Sequence, residues 1–91
     1  MTPPPYEVAW TGAAKRALTR LPEKVGTAVI EFCYRALAEN PSRVGKSLKF
    51  DLTGLQSARR GDFRVIYRVS EADRRIDIVA IEHRSHVYRP R

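Results

Sequence analysis

Residues 61–69, GDFRVIYRV, decide how this chain folds. Phe63, Val65, Tyr67 and Val69 alternate with Arg64, Ile66 and Arg68. Successive side chains of a strand point to opposite faces, so a strand here sets an apolar row on one side and a basic row on the other. The first side belongs against a core. A solvated face of an antiparallel sheet is the ordinary explanation of the second, and a face that receives a polyanion is the alternative. Moving outward, EADRR makes a turn into residues 76–82, an apolar run suited to a central strand, and residues 55–60 form a weaker strand upstream that ends in Arg59 and Arg60.

Nearer the N-terminus the periodicity changes. YEVAW, residues 6–10, is a short aromatic and β-branched run consistent with a first strand, preceded by a flexible leader over residues 1–5 that contains Pro3, Pro4 and Pro5. Thr11 can cap a helix over residues 12–21, where Ala14, Ala17, Leu18 and Leu21 keep helical spacing. Pro22 ends it and suits the first turn of a second helix, which runs to about Glu39 on the stripe Val25, Ala28, Val29, Phe32, Cys33, Ala36 and Leu37. Asn40–Pro41 stops that helix, and SRVGKSLKFDLTG reads as an irregular basic connection. The expected fold is α+β: one domain over residues 1–91, in β-α-α-β-β-β order, with a helix hairpin packed on a mainly antiparallel sheet.

The 91 residues carry 17 Lys+Arg against 10 Asp+Glu, a formal net charge of +7. The excess is uneven, since residues 41–91 hold 12 basic and 6 acidic side chains while residues 1–40 hold 5 and 4. Concentrated positive charge steers association with polyanions and releases counterions from phosphate, so nucleic acid is the expected partner class. MTPPPYEVAW lacks the basic start and apolar core of a secretory signal, and no apolar run approaches the roughly 18 residues that span a bilayer. A cytoplasmic protein without membrane attachment is expected. Cys33 is the single cysteine and falls on an apolar helix face, so it reads as core.

Several basic groups are candidates for RNA contact: Lys15, Arg16 and Arg20 on the first helix, Lys46 and Lys49 in the glycine-permitted loop that also holds Arg43, and Arg60, Arg68 and His86 farther on. If Arg59 and Arg60 close their strand, at least one of them joins Arg64 on a single face. The end of the last strand delivers EHRSHVY to the sheet margin, bringing His83, Arg84, His86 and Tyr88. This set suits cleavage of RNA without a metal. Attack by a ribose 2′-OH on the adjacent phosphate needs a proton acceptor, cations for the pentacovalent phosphate and an acid for the leaving oxygen. Arginine holds two phosphate oxygens in one plane, histidine titrates near neutrality, and tyrosine offers a hydroxyl and a stacking ring. No Asp, His and Glu spacing makes a divalent-metal site, and no small-molecule cofactor is expected. Against this, Glu82 or Asp77 can pair with an arginine and make a structural ion pair of it.

The order strand, helix pair, RVGKSL loop, RRGDFRVIYRV and terminal HRSHVY resembles the RelE-type toxins of the RelE/ParE superfamily, small bacterial proteins paired with an antitoxin. The resemblance covers about residues 6–89, and its most specific part is GDFRVIY followed some twenty residues later by HR..VY. It implies a microbial-RNase-like fold, ribosome-dependent cleavage of mRNA in the decoding site of the 70S ribosome, and a cognate RelB-like antitoxin. On that analogy Arg64 stabilises the scissile phosphate, Tyr88 stacks near the cleaved nucleotide, Arg84, His83 and Arg59 supply further catalytic groups, and Lys46, Lys49 and the first helix touch ribosomal RNA. One departure stands out. The best-studied toxins of this group carry lysines on the strand before the motif arginine, whereas that strand here reads GLQSARR. Either His83 or His86 then moves the proton, with His83 preferred, or the arginines act mostly by charge. The alternatives are a ParE-like inhibitor of DNA gyrase and an inactive nucleic-acid- or partner-binding module of the same fold.

Overall fold

The computed structural model describes residues 4–47 and 54–83. Five strands form one mixed sheet: β1 (Glu7–Trp10), β2 (Lys46–Ser47), β3 (Gln56–Arg60), β4 (Phe63–Ser70) and β5 (Arg75–His83), in the order β1-β5-β4-β3-β2. The strand expected to be strongest spans the residues that its alternation marked. β4 is the middle strand; β5 lies between β4 and β1, antiparallel to the first and parallel to the second, and the remaining pairs are antiparallel. The hairpin between β3 and β4 turns on Gly61 and Asp62, and Gly61 takes a φ of 59° that a two-residue hairpin turn requires of its first position.

All the helices lie on one side of that sheet. Helix α1 (Gly12–Arg20) is capped by Thr11, whose hydroxyl accepts from the Ala14 amide at 3.1 Å. Helix α2 (Glu23–Phe32) continues as a π-helical turn, Cys33–Leu37. Ala14, Leu21, Val29, Phe32, Cys33 and Leu37 meet Ala58, Phe63, Val65, Tyr67, Ile76, Ile78 and Ile81 in a single core. Cys33 is fully buried, and burial pushes its thiol up to about 12, which leaves it a poor thiolate.

The connection after α2 is more ordered than its composition led us to expect. Asn40 caps a further short helix, α3 (Pro41–Val44): its side chain accepts from the Arg43 amide at 3.2 Å, and Pro41 occupies the first turn, where its missing N–H costs nothing. Lys46 and Ser47 then pair with Ser57 and Gln56 as the edge strand. Tyr67 fixes this segment from inside the core, donating its hydroxyl to the Pro41 carbonyl at 2.7 Å. Gly45 passes so close that a Cβ there would overlap the Tyr67 hydroxyl, so only glycine lets the chain cross. At the opposite edge, Arg74 stacks over the Tyr6 ring at 4.2 Å and donates to the Pro4 carbonyl at 2.7 Å, which ties the end of the leader to the turn between β4 and β5.

One irregularity sets the phase of the sheet. Ile66 pairs with Ala80 but Tyr67 pairs with Ile78, so Val79 is an extra residue in β5, a β-bulge. The Thr11 hydroxyl donates to the Val79 carbonyl at 3.2 Å while capping α1, so helix and bulge share one side chain. The core residues of β5 are consequently Ile76, Ile78 and Ile81, with one spacing of three. An unbroken alternation would have turned Glu82 toward the helices; the bulge turns it away.

Burial holds the Tyr67 phenol at about 12 instead of 10.0. Its folded-state value is raised, so the stability it contributes is whole below pH ~10 and is lost as pH rises through about 12. Tyr67→Phe should lower stability by about 1 kcal/mol at neutral pH through loss of the bond to Pro41. Urea unfolding of the two proteins between pH 9 and 12 should show the gap closing toward the alkaline end.

Candidate functional site

The side of the sheet turned away from the helices carries the charge. Directly opposed residues of paired strands point the same way, and the register sets Arg59 opposite Arg64 and Arg64 opposite Glu82. These three side chains form a row across β3, β4 and β5. A second row sets Arg68 opposite Asp77. Lys46, opposite Ser57, extends the same face to the edge strand. The expected union of Arg64 with one neighbouring guanidinium is therefore present, and the neighbour is Arg59.

Two acidic groups on the face, Glu82 and Asp77, are engaged by arginines. Arg64 Nη1 lies 3.6 Å from Glu82 Oε1, with each side chain nearly half exposed at 47% and 46%. Arg75 Nε donates to Asp77 Oδ1 at 3.1 Å. The ion pair anticipated as the structural alternative for Arg64 thus exists. Its length and exposure make it a loose surface pair, of the kind worth about 0–1 kcal/mol, and a phosphate oxygen can replace the carboxylate at low cost.

The other candidate residues are distributed differently. His83 lies opposite Phe63, on the side that faces the helices, so it and Arg64 stand on opposite faces of the sheet. The arginine that shares a row with His83 is Arg60, across Phe63. Arg60 also turns to the helix side, where its guanidinium sits 5.6 Å from the centre of the Phe32 ring, and Phe32 packs edge-on against Phe63 at 5.9 Å. Lys15, Arg16 and Arg20 are exposed on α1, in the helix layer and away from the Arg64 face. Lys49, Arg84, His86 and Tyr88 lie outside the described residues. Among the described residues no helix is long and apolar enough to cross a membrane.

Residues 8–88 match the family described as ParE toxin of type II toxin-antitoxin system, parDE. Toxin RelE of Mycobacterium tuberculosis (strain ATCC 25618 / H37Rv) is 51% identical over 85 residues, which cover 93% of this chain and 88% of that protein. The chain belongs to the RelE/ParE superfamily as a RelE-type toxin. Toxin RelG of the same organism is 41% identical over 85 residues, covering 93% of this chain and 98% of that protein. Among solved structures, the toxin–antitoxin complex RelBE2 from Mycobacterium tuberculosis contains a chain that superposes with a TM-score of 0.87 at 41% identity, over 89% of this chain and 93% of that one. The resemblance drawn from GDFRVIY and HR..VY is thereby established at the level of family and fold.

Glu82 was visible in the sequence only as a possible ion-pair partner. Burial of Ile76, Ile78 and Ile81 marks the bulge that places it beside Arg64, but the continuous apolar run of residues 78–81 hides that break in the sequence. The two faces make opposite demands on neighbouring arginines. Arg60→Ala should lower stability by about 0.5–1 kcal/mol, seen as a lower urea midpoint, through its lost contact with Phe32. Arg59→Ala should leave the midpoint unchanged and instead weaken binding to a single-stranded RNA oligonucleotide, with a salt slope shallower by about one contact. Equal effects of the two substitutions on both readouts would contradict the assignment of faces.

Proposed function

We propose that this toxin is a ribosome-dependent endoribonuclease, an mRNA interferase that cleaves mRNA in the ribosomal A site and so inhibits translation. The observation that carries the reading is the row Arg59–Arg64–Glu82 on an exposed sheet face. A transesterification by the ribose 2′-OH builds negative charge on the non-bridging phosphate oxygens. Two guanidiniums side by side meet that charge in the planar, two-toothed geometry arginine favours, without a metal ion or cofactor. Arg64 is assigned to the scissile phosphate and Arg59 to its neighbour. Arg84 adds positive charge, and Tyr88 offers a ring for an unstacked base.

The remaining basic groups fit ribosomal RNA better than the scissile phosphate. Lys46 and Arg68 stand on the Arg64 face and Lys49 follows three residues after Lys46 in the sequence, while Lys15, Arg16 and Arg20 extend positive charge onto the helix layer, so the protein can be held from more than one direction within an RNA-walled site. Dependence on the ribosome fits a face on which the described residues supply charge but no walls to orient a substrate. The partner that neutralises the toxin is a RelB-like antitoxin, as the RelBE2 complex is itself a toxin–antitoxin assembly. An acidic segment laid over this face would meet its charge. The setting for all of this is the cytoplasm.

Mapping mRNA 5′ ends after adding the purified protein to programmed ribosomes tests the reading. Cuts are expected within the occupied A site, absent from ribosome-free RNA, and reduced on the order of 10²–10³-fold by Arg64→Ala. A protein that arrests growth while producing no cuts would overturn the nuclease and direct attention to DNA gyrase.

A further inference from the structure

We propose that Glu82 is the general base of this site, taking the proton from the attacking ribose 2′-hydroxyl. The inference rests on the endoribonuclease reading above and adds to it the group that moves the first proton. The sequence left this role to a histidine, with His83 preferred. The sheet turns His83 toward the helices beside Phe63, whereas Glu82 shares the Arg64 face.

The geometry favours Glu82 over the other carboxylates of that face. Asp77 stands in the next charged row and is engaged by Arg75 at 3.1 Å. Glu7 belongs to the edge strand β1, one strand beyond β5 and opposite Arg75. Glu82 alone among the described residues is a carboxylate directly opposite Arg64. The charged groups bordering it are Arg64 across the strand pair, Arg59 one strand farther, and Asp62 in the turn between β3 and β4. None of the described helices packs on this side, and the Glu82 side chain is nearly half exposed, within reach of a nucleotide.

The distances suit the chemistry. A phosphate that takes the place of the Glu82 carboxylate on Arg64 leaves that carboxylate within a few ångströms, and the 2′-oxygen of the adjoining ribose must approach to about 3–3.5 Å of the phosphorus to react. A carboxylate is ionised at neutral pH and can accept the proton. Repulsion between it and the phosphate is offset by Arg59, Arg68 and Lys46, which leave the face positive. In the reaction the 2′-O–H proton passes to Glu82, the O2′–P bond forms and the P–O5′ bond breaks. The departing 5′-oxygen takes a proton from water. The products are a 2′,3′-cyclic phosphate and a 5′-hydroxyl, and Glu82 returns its proton to solvent.

Single-turnover cleavage of mRNA on programmed ribosomes tests the assignment, with wild type, Glu82→Gln, Glu82→Asp and Asp77→Asn compared and ribosome affinity measured alongside. Glutamine keeps an oxygen that can accept from Arg64, so a merely structural Glu82 would tolerate it. A general base would not: Glu82→Gln is expected to lose on the order of 10²–10⁴-fold in rate at unchanged ribosome affinity. Glu82→Asp should recover part of that loss, and Asp77→Asn, with the same change of charge, should retain the wild-type rate. Cleavage by Glu82→Gln within about threefold of wild type would overturn the role of Glu82 and leave the nuclease standing. A wild type that makes no cuts overturns both.

Discussion

The extra residue at Val79 is the constraint on which the arrangement depends. A bulge frees a carbonyl that the neighbouring strand can no longer use, and here the Thr11 hydroxyl takes it at 3.2 Å while also capping α1. A single side chain therefore satisfies the irregular strand and the first turn of the helix packed over it. Beyond Val79 every side chain of β5 changes face relative to an unbroken strand. Ile81 can then complete the core, and Glu82 stands opposite Arg64.

This change of face also divides the basic residues between two tasks. Those on the helix side are recruited by packing: Arg60 lies over Phe32, and Arg74 lies over Tyr6. Those on the other side, Arg59, Arg64, Arg68 and Lys46, stand on a sheet surface over which none of the described helices packs. The row Arg59–Arg64–Glu82 puts two fixed cations and one base side by side, a compact complement to a phosphodiester and its neighbouring hydroxyl. The proposed chemistry needs nothing more of the fold than a rigid sheet to hold that spacing. Tyr67, buried in the same strand that carries Arg64, supplies part of the rigidity by binding the edge segment through Pro41.

Much of the fold was legible because it follows from periodicity. The alternation of residues 63–70 marks β4 to the residue, and the stripes ending at Leu21 and Leu37 mark the helices. Thr11 was recognisable as a cap from chemistry alone. What was not legible depends on partners distant in sequence. Nothing local to Glu7–Trp10 reveals that it runs parallel to β5, and the short strand Lys46–Ser47 exists only because β3 offers it an edge. The helical turn at Pro41 was signalled by Asn40 followed by proline, a combination that reads equally as a stop and as a start. At the site, the meeting of Arg59 with Arg64 was foreseeable from the two-residue turn between their strands. The separation of His83 from Arg64 was not, because a bulge is invisible to a pattern that counts by twos.

The central claim is that the sheet face carrying Arg64, and not the face carrying His83, receives the scissile nucleotide. The most direct measurement is a structure of the toxin on a programmed ribosome whose A-site mRNA bears a 2′-O-methyl group, which blocks the attacking oxygen and holds the substrate uncut. The scissile phosphate is expected on the guanidiniums of Arg64 and Arg59, with the blocked 2′-oxygen turned toward Glu82. A phosphate bound on the helix side of the sheet, or beside His83 with Glu82 remote from the ribose, would contradict this placement.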